Sequence, residues 1–541
     1  MRLLGFINTF DELAEPDRRL GRKVANFDLA RALLEHSSAD ELHFFLPFAG
    51  ALEPFQRVYG PWLTPEVRKR LRLVHAAQLP ALMASQPYGA IHAADLDNYF
   101  PELCHLRNHL VPRPFPITCT THTLSYWAGH LRQIYKVLPG PLPCDAVFCT
   151  SRAARRHLER LFGGLADNLQ GMGMTSAGFA GRLEVVPLGV RAEEFGREEP
   201  AAARKALGLP AQGVLLLCVG RLTPADKFDL MPLLGVLSLL APRHDLHLVL
   251  AGAARGDYPR RLEEAAGRLG LQDRLHLLAD FPSQIKHRIY AACDILVSPA
   301  DNLQETFGLT ILEAMASGLP VVASDFSGYR DLVAQGETGF LIPTLGPSHW
   351  ESLDRLRPLL ADHIAALQVA QRTALDLEAL RRRLEELAGS TELRRRMGKA
   401  GLKRVLQRFD WPRVIQRMEE TWQRLGREAP RIQPPPADLL NLGLGRIFGH
   451  FFSRGLSPGE RLRAGPLAPA FLNGSWAAQE MPDLVGGLPR EGLRALLEAV
   501  ERQNGHATLA QTTEALAGGF SPEQVEHLVL HALKYGLLAP A

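Results

Sequence analysis

The 541-residue sequence has few cysteines, little net charge and no long apolar run. Its six cysteines include no Cys-x-x-Cys pair, which argues against a disulfide framework or a zinc site and fits a reduced protein. The formal net charge of +3 gives no strong general attraction to nucleic acid, so we expect no nucleic-acid partner. No apolar run is long enough to span a bilayer, and we expect no transmembrane segment.

Several other signals are absent. The start, "MRLLGFINTFDELAEPD", lacks the basic region, apolar centre and cleavage site of a signal peptide, so we expect a cytoplasmic location. Neither a Walker loop nor a zinc-protease helix motif occurs. The segment "GLGRIFG" (443–449) imitates a dinucleotide-binding loop, but its last spacing is one residue too long and no predicted strand precedes it.

Short apolar runs alternate with helical stretches through the first 345 residues. Runs that are apolar at almost every position are typical of parallel strands covered by helices on both faces. The predicted strands are 2–9, 41–48, 89–95, 115–122, 145–151 and 183–189, then 213–222, 246–253, 274–281, 293–300, 319–325 and 339–343. This rhythm predicts an α/β protein with two Rossmann-like doubly wound domains that face a cleft.

The remaining chain is mostly helical. The segment 376–409 is rich in Arg and Lys, and it is either a solvated surface helix or a contact for an anionic lipid or acceptor. A Pro-rich linker at 429–440 leads to a tail with three predicted helices, the last opened by Ser521, Pro522 and Gln524 as cap, first residue and capping-box partner. Because residues 486–541 carry more Glu than Lys and Arg, a protein-docking or self-association module over 440–541 is favoured over a DNA-binding helix-turn-helix.

Two glutamates stand where a strand gives way to a helix, in "NLQETFGLTILEAMASGLPVVASD" (302–325). Glu305 lies in the loop and Glu313 in the opening turns of the helix, so both are expected to face the same cleft. The amides of Phe307, Gly308 and Leu309 lie between them at the positive end of the helix, where a diphosphate would bind. Carboxylates beside such a site suit sugar and ribose hydroxyls, whereas an ordinary acidic helix cap is the alternative.

Two cations follow the first strand of the second predicted domain. In "VGRLTPADKFDLM" (219–231), Arg221 and Lys227 leave the carboxyl end of that strand. There they are placed to neutralise a diphosphate, and an arginine can do so with a bidentate fork.

These segments resemble the family 4 retaining glycosyltransferases of the GT-B fold. The motifs are "GRL…K", "ETFGLTILEAMASGLPVVASDFSGYRDLV" and "ETGFLIP", and the resemblance is best over 213–345. The segments "ITCTTHTLS", "DAVFCTSRAARRHL" and "LEVVPLGVRAEEF" extend it to the first domain, and 409–425 is similar to the family's final helix, which crosses back to that domain. The expected domains are an acceptor-side domain at 1–195, a donor domain at 196–428, and the linker with its helical module at 429–541.

The resemblance implies a metal-independent hexosyltransferase that moves a sugar, with retention, from a UDP- or GDP-linked donor to an acceptor hydroxyl. It implies no cofactor besides this co-substrate, and the acceptor, whether a glycan, lipid, small molecule or protein, stays open. Arg221 and Lys227 would hold the diphosphate, Glu305 the sugar and Glu313 the ribose. His122 would reach the sugar near its anomeric carbon, unless it is a packing histidine. The other donor-binding positions are Thr306, Phe307, Gly308 and Leu309.

The acceptor side departs from the family pattern. The family often has a Gly-rich loop after its first strand, but "NTFDELAEPDRRLGRKVANF" (8–27) holds only Gly21. Arg18, Arg19 and Arg22 could contact the acceptor, or could simply mark a solvated helix start. The Gly-rich stretch 162–181 is expected to be a loop, either bordering the acceptor or mobile.

Three other functions are compatible with parts of the sequence. The "DLD" at 95–97 has the form of the metal-binding pair of a GT-A transferase, although so short a motif often arises by chance. A non-catalytic nucleotide-sugar-binding scaffold and a GT-B sugar epimerase share the donor motifs. Turnover by a Glu305→Ala variant and product analysis without an acceptor would separate these functions from a transferase.

Overall fold

The computed structural model describes residues 3–8, 10, 21–126, 134–137, 140–174, 178–196, 198–432, 443–476 and 490–541. The chain divides into two compact units, Met1–Pro47 with Ala51–Pro435, and Pro436–Ala541 with Phe48–Gly50. The predicted linker lies outside the described residues from residue 433 onward. Within these ranges no helix is both long and apolar enough to cross a bilayer.

The first lobe of the larger unit is built on a parallel sheet. Its strand order is β3-β2-β1-β4-β5-β6-β7, and the strands are β1 Leu3–Ile7, β2 Glu41–Leu46, β3 Leu71–His75, β4 Ala90–Ala93, β5 Ile117–Thr120, β6 Ala146–Cys149 and β7 Arg182–Val185. The helices are α1 Gly21–His36, α2 Leu52–Tyr59, α3 Pro65–Arg70, α4 Leu79–Ser85, α5 Phe100–Leu110, α6 Ile134–Val137 and α7 Arg152–Gly171. Buried apolar clusters cover both faces of the sheet, as expected for a doubly wound domain.

The second lobe repeats this arrangement. Its parallel sheet has the order β10-β9-β8-β11-β12-β13, with β8 Val214–Val219, β9 Leu246–Gly252, β10 Leu275–Ala279, β11 Ile295–Ser298, β12 Val321–Ser324 and β13 Gly339–Ile342. The helices are α8 Pro200–Leu207, α9 Met231–Leu240, α10 Tyr258–Arg268, α11 Lys286–Ala291, α12 Leu309–Ala316 and α13 Tyr329–Leu332. The predicted fold class, with two Rossmann-like sheets, is therefore confirmed.

Two features of these lobes differ from the sequence-based predictions. The strand β3 was not predicted, because it is an edge strand in which Arg72 is exposed and only Val74 is buried. Residues 162–171 are not a loop but the second half of helix α7, whose apolar face buries Leu158 and Phe162. Gly163 and Gly164 have open space where a side chain would stand, so their presence in the helix reflects no close packing.

A helical segment leaves the second lobe after β13. The short antiparallel strands β14 Thr344–Leu345 and β15 Ala374–Leu375 pair at its base, and α14 Glu351–Leu356 and α15 Asp362–Ala370 lie between them. We call residues 344–375 the helical insertion. The sequence predicts its helical character, but not that it folds back toward the first lobe, where Arg357 donates a hydrogen bond to the Ser125 carbonyl (3.2 Å).

The basic segment 376–409 forms two helices, α16 Leu377–Gly389 and α17 Thr391–Arg408. The break occurs because the Ser390 hydroxyl accepts a hydrogen bond from the Leu393 amide and so caps the second helix. Arg381 pairs with Glu378 (2.8 Å) and Glu385 (2.7 Å) of its own helix, which favours the solvated-surface interpretation.

The next helix, α18 Trp411–Arg427, packs against the core of the first lobe. The indole N–H of Trp422 donates to the Thr118 hydroxyl on β5 (2.8 Å). Glu419 accepts hydrogen bonds from the hydroxyls of Ser37 (2.8 Å) and Ser38 (2.6 Å). The chain thus returns from the second lobe to the first.

The smaller unit has its own apolar core. Its elements are α19 Leu444–Phe448, β16 Arg461–Ala464, α20 Ala468–Leu472, α21 Arg490–Arg502, β17 His506–Thr508, α22 Leu509–Leu516, α23 Pro522–Lys534 and β18 Leu538–Pro540, with strand order β17-β16-β18. The predicted capping box of Ser521 and Gln524 is confirmed. The small antiparallel sheet was not predicted, because its strands have only three or four residues.

Candidate functional site

A cavity of about 660 Å³ lies between the two lobes of the larger unit. Its walls come from loops that follow β4 and β5 in the first lobe and β8 and β11 in the second. In parallel α/β sheets these carboxyl ends of strands are where ligands bind. We call this the donor cavity. The predicted residues that line it are His122, Arg221, Lys227, Glu305, Thr306, Phe307, Gly308 and Leu309.

Lys227 and Glu305 form an ion pair at the centre of this set. The Lys227 Nζ is 2.6 Å from the Glu305 Oε2, and both side chains are largely buried. The Tyr329 hydroxyl donates to the same carboxylate oxygen (3.1 Å). Burial alone would raise the pKa of Glu305, but Lys227, the Phe307 amide and the Tyr329 hydroxyl outweigh it and hold the pKa below its usual value. Glu305 is therefore an ionised hydrogen-bond acceptor at neutral pH.

Arg221 is held in position by neighbouring polar groups. Its guanidinium donates to the Asp226 carboxylate (2.7 Å), to the Asp226 carbonyl (2.9 Å) and to the Gln304 side-chain oxygen (3.3 Å). Both of these partners also line the donor cavity. Arg221 and Lys227 thus share one cavity with Glu305, which is the arrangement that the two sequence motifs predict.

The loop before α12 brings backbone amides to the cavity wall. Gly308 has φ = +114°, and a Cβ there would stand 2.7 Å from the Tyr329 ring. The Phe307 amide donates to Glu305 (3.3 Å), so of the three predicted amides this one already has an acceptor. The amide of Leu309, like any amide in the first turn of a helix, has no acceptor within the helix and is available to an anion.

Glu313 is placed differently from the expectation that it faces the same cavity. It is 7% exposed and is not among the residues lining the donor cavity. Its carboxylate accepts from Lys286 Nζ (2.6 Å) and from the Tyr290 hydroxyl (2.6 Å). Both partners come from α11, which packs beside α12, and sequence reasoning missed them because no local pattern links the two helices.

His122 lies on the first-lobe side of the donor cavity. Its Nε2 is 2.9 Å from the Ala94 carbonyl, and since a carbonyl only accepts, Nε2 carries the proton. Burial lowers the pKa of His122, although Asp95 opposes this effect, so the ring is neutral at neutral pH. The His122 carbonyl accepts from the Thr306 hydroxyl (2.8 Å), which joins the two lobes next to Glu305.

Polar first-lobe residues complete the cavity. Asp95, Asp97 and Asn98 line it, and Arg22 pairs with Asp95 (2.8 Å). Asp95 also accepts from the Asp97 amide (2.8 Å), a hydrogen bond within "DLD" itself. From the sequence this tripeptide was considered only as a metal-binding pair. Among the residues that the structure describes, no group of three or more His, Cys, Asp or Glu side chains is placed to hold a metal ion.

Arg22 is the described member of the three arginines predicted for the acceptor side, and it lines the cavity. Arg18 and Arg19 lie outside the described residues. Asp95 and Asn98 could have been identified as site residues from the sequence, because both follow an apolar run that is predicted to be a strand. Glu305 was identified from the same kind of position.

Comparison with known proteins gives the donor side a family. Residues 201–374 match the family described as glycosyl transferases group 1. Proteins named D-inositol 3-phosphate glycosyltransferase are similar: the one from Geodermatophilus obscurus is 36% identical over 180 residues, which is 32% of this chain and 40% of that protein. The one from Streptosporangium roseum is 34% identical over 216 residues, or 38% and 49% of the two chains. The chain thus spans less than half the length of the curated relatives it matches.

Solved structures extend the comparison to both lobes. A sucrose-phosphate synthase from Thermosynechococcus elongatus has a TM-score of 0.51 at 20% identity, over 79% of this chain and all of that one. An Anabaena protein solved in complex with UDP and glucose has a TM-score of 0.50 at 18% identity, over 78% of this chain and 99% of the other. At such identities the likeness concerns the fold. The two-lobed fold, and the match of residues 201–374 to group 1 glycosyl transferases, agree with the resemblance to family 4 GT-B glycosyltransferases that the motifs predicted.

Proposed function

We propose that this protein transfers a sugar from a nucleotide diphosphate sugar to an acceptor hydroxyl, with retention of the anomeric configuration. The observation that carries this proposal is the Lys227–Glu305 pair beside the start of α12 in the donor cavity. A cation and backbone amides suit a diphosphate, and an ionised carboxylate suits sugar hydroxyls. One cavity therefore offers complementary groups to both halves of the donor.

In this proposal the diphosphate lies between Arg221, Lys227 and the amides at the start of α12. Lys227 would donate to the phosphate while keeping contact with Glu305, since an ammonium group has three N–H donors. Glu305 would accept from sugar hydroxyls, with its remaining lone pairs turned toward the cavity. Glu313 does not line the donor cavity, so its contact with the ribose stays a prediction from the resemblance.

The proposed reaction breaks the bond between the anomeric carbon and the β-phosphate oxygen. The bonding electrons go to the phosphate, and an oxocarbenium-like centre develops at the sugar. The acceptor oxygen then bonds to that carbon from the same face, and its proton passes to the departing phosphate. Arg221, Lys227 and the helix start stabilise the phosphate charge, so we propose that no metal ion is required. Neutral His122 would position the sugar near the reacting carbon.

The nucleotide and the acceptor are proposed from the similar proteins and from the residues that line the cavity. Because the Anabaena protein of similar fold was solved with UDP and glucose, we propose UDP as the first nucleotide to test, followed by GDP. The curated relatives have D-inositol 3-phosphate in their names, but the match to the first two covers 32% and 38% of this chain. On the first-lobe side of the donor cavity, Asp95, Asp97 and Asn98 would bind hydroxyl groups of the sugar. A cytoplasmic location stays a prediction.

Release of nucleotide diphosphate from UDP- and GDP-sugars, measured with a panel of acceptors that includes D-inositol 3-phosphate, tests the proposal. We expect Glu305→Ala to lower turnover about 100- to 1000-fold, as when one stabilising contact to a transition state is lost. Glu337→Ala, an exposed position in the same lobe, is the matched control and should leave turnover unchanged. Absence of release with every donor would indicate a binding scaffold, and a changed sugar without any acceptor would indicate an epimerase.

A further inference from the structure

A second cavity, of about 680 Å³, lies beside the donor cavity. Most of its lining is apolar, and nearly half of the lining residues belong to the helical insertion, including Trp350, Leu353 and Leu360. The first lobe contributes Leu124 and the start of α7. We call it the apolar cavity. Of the residues proposed to contact the donor, Glu305 and Thr306 are the two that line it.

The apolar cavity meets the donor cavity where the sugar is proposed to bind. Glu305 and Thr306 line both cavities, so these two residues form the wall between them. Thr306 is also where the lobes touch, because its hydroxyl donates to His122 and its carbonyl accepts from the Ser151 hydroxyl (2.8 Å). A molecule in the apolar cavity therefore has one end next to the proposed sugar position.

The apolar cavity shares part of its lining with a group of arginines. A third cavity, of about 700 Å³, shares Ala153, His157, Ser327 and Arg330 with it and is also lined by Arg152, Arg156 and Arg160. We call this the arginine cavity. The three arginines of α7 are four residues apart, which places them along one side of the helix.

Only part of this positive charge is balanced locally. Arg152 pairs with Asp331 (2.5 Å) and Arg330 with Asp325 (2.6 Å). Arg156 and Arg160 have no ion-pair partner in the part of the chain that the structure describes, and both are exposed. Guanidinium forks in such a group match the oxygens of a phosphate.

We propose that these two cavities bind the acceptor, and that the acceptor is an amphiphile: a hydroxyl end at Thr306, an apolar body against the insertion, and a phosphate among the arginines of α7. The inference rests on the proposed transferase function. Charge complementarity and the position of the apolar cavity between the lobes favour a single small amphiphile over a peptide or a membrane surface. The helical insertion would then determine which acceptor is used.

The test uses dodecyl phosphate below its micelle-forming concentration, with binding followed by tryptophan fluorescence. We expect a saturable change that Trp350→Phe removes. The double variant R156A/R160A should bind roughly tenfold more weakly, because charge-assisted hydrogen bonds are lost. R395A/R396A, an exposed pair on α17, is its matched control. L360E should also weaken binding, whereas L359E, at a neighbouring position that does not line the cavity, should not.

Two further probes make the result decisive. Inorganic phosphate alone should give no saturable change, and uncharged dodecyl maltoside should bind more weakly than dodecyl phosphate. Equal binding of dodecyl phosphate by R156A/R160A and by R395A/R396A, or equal binding of the charged and uncharged probes, overturns the inference. UDP and GDP binding is measured on the same proteins. If neither nucleotide binds the unmodified chain, the proposed function itself fails. If UDP binds but the variants do not weaken dodecyl phosphate binding as predicted, only the acceptor assignment is rejected.

Discussion

At the scale of single residues, the site depends on where each charged group finds its partner. Glu305 is ionised because Lys227, the Phe307 amide and the Tyr329 hydroxyl together outweigh its burial. The Tyr329 hydroxyl is itself hydrogen bonded to Ser298 (2.7 Å), which fixes its direction. A change that moves Tyr329 should therefore disturb the carboxylate as well as the local packing.

Gly308→Ala is such a change. A Cβ at this position would stand 2.7 Å from the Tyr329 ring, and φ = +114° is strained for any residue with a side chain. We expect a loss of about 1–3 kcal/mol in the free energy of unfolding, together with weaker nucleotide binding. Urea titration and nucleotide titration measure the two effects.

The matched control is Gly235→Ala, in the interior of α9. A Cβ there meets nothing within 4 Å, so this substitution should raise stability by up to roughly 1 kcal/mol. If both alanine variants behaved alike, the backbone at Gly308 would not be the constraint described here.

His92 predicts a dependence of stability on pH. It is fully buried between the hydroxyls of Thr118 (2.9 Å) and Thr120 (3.1 Å), and burial lowers its pKa from 6.5 to about 3. Because the folded pKa lies below the unfolded one, the stabilisation is complete above pH 6.5 and is lost as the pH falls toward 3. Because the unfolded chain takes up a proton at His92 and the folded chain does not, His92 alone should lower the free energy of unfolding by about 2 kcal/mol between pH 7 and pH 5.

Urea unfolding at pH 7 and pH 5 checks this prediction. The H92Q variant, whose side chain does not titrate, should lose less stability on acidification than the unmodified protein. The H349Q variant, at an exposed position, should keep the full dependence. An unchanged loss in H92Q would show that other groups are responsible.

At the scale of elements, α18 ties the two lobes of the larger unit together. The Trp422 side chain is fully buried in the first-lobe core and donates to Thr118. We expect Trp422→Ala to cost about 3–5 kcal/mol in the free energy of unfolding, through lost packing and the cavity left behind. Leu406→Ala, at an exposed position on α17, should change it by less than about 0.5 kcal/mol. Urea unfolding compares the two, and a small loss at Trp422 would contradict this role of the helix.

The elements also show what can be read from a sequence alone. The buried parallel strands were predictable because they are apolar at nearly every position, and Lys227 and Glu305 because each follows such a strand. Edge strand β3 was not, because its side chains are partly solvated. The contacts of Glu313 with Lys286 and Tyr290, and the return of the helical insertion toward Ser125, join segments with no shared local pattern. They follow from tertiary packing, which single-sequence periodicity does not encode.

At the scale of the whole molecule, function is proposed to arise between the lobes. The second lobe supplies the groups for a nucleotide diphosphate sugar, and the first supplies His122, Asp95 and the polar residues for the hydroxyls. The smaller unit has a core of its own, and its role in binding a protein partner or a second copy stays a prediction. The boundaries predicted near residues 195 and 428 also stay predictions.

The most direct test of the central claim is calorimetric titration with UDP and UMP, followed by GDP and GMP. If Lys227, Arg221 and the start of α12 bind a diphosphate, the diphosphate should bind at least about tenfold more tightly than its monophosphate. Lys227→Met should remove most of that difference, whereas Lys205→Met, at an exposed position, should not. Equal affinity for diphosphate and monophosphate, or a difference that survives Lys227→Met, would contradict the account.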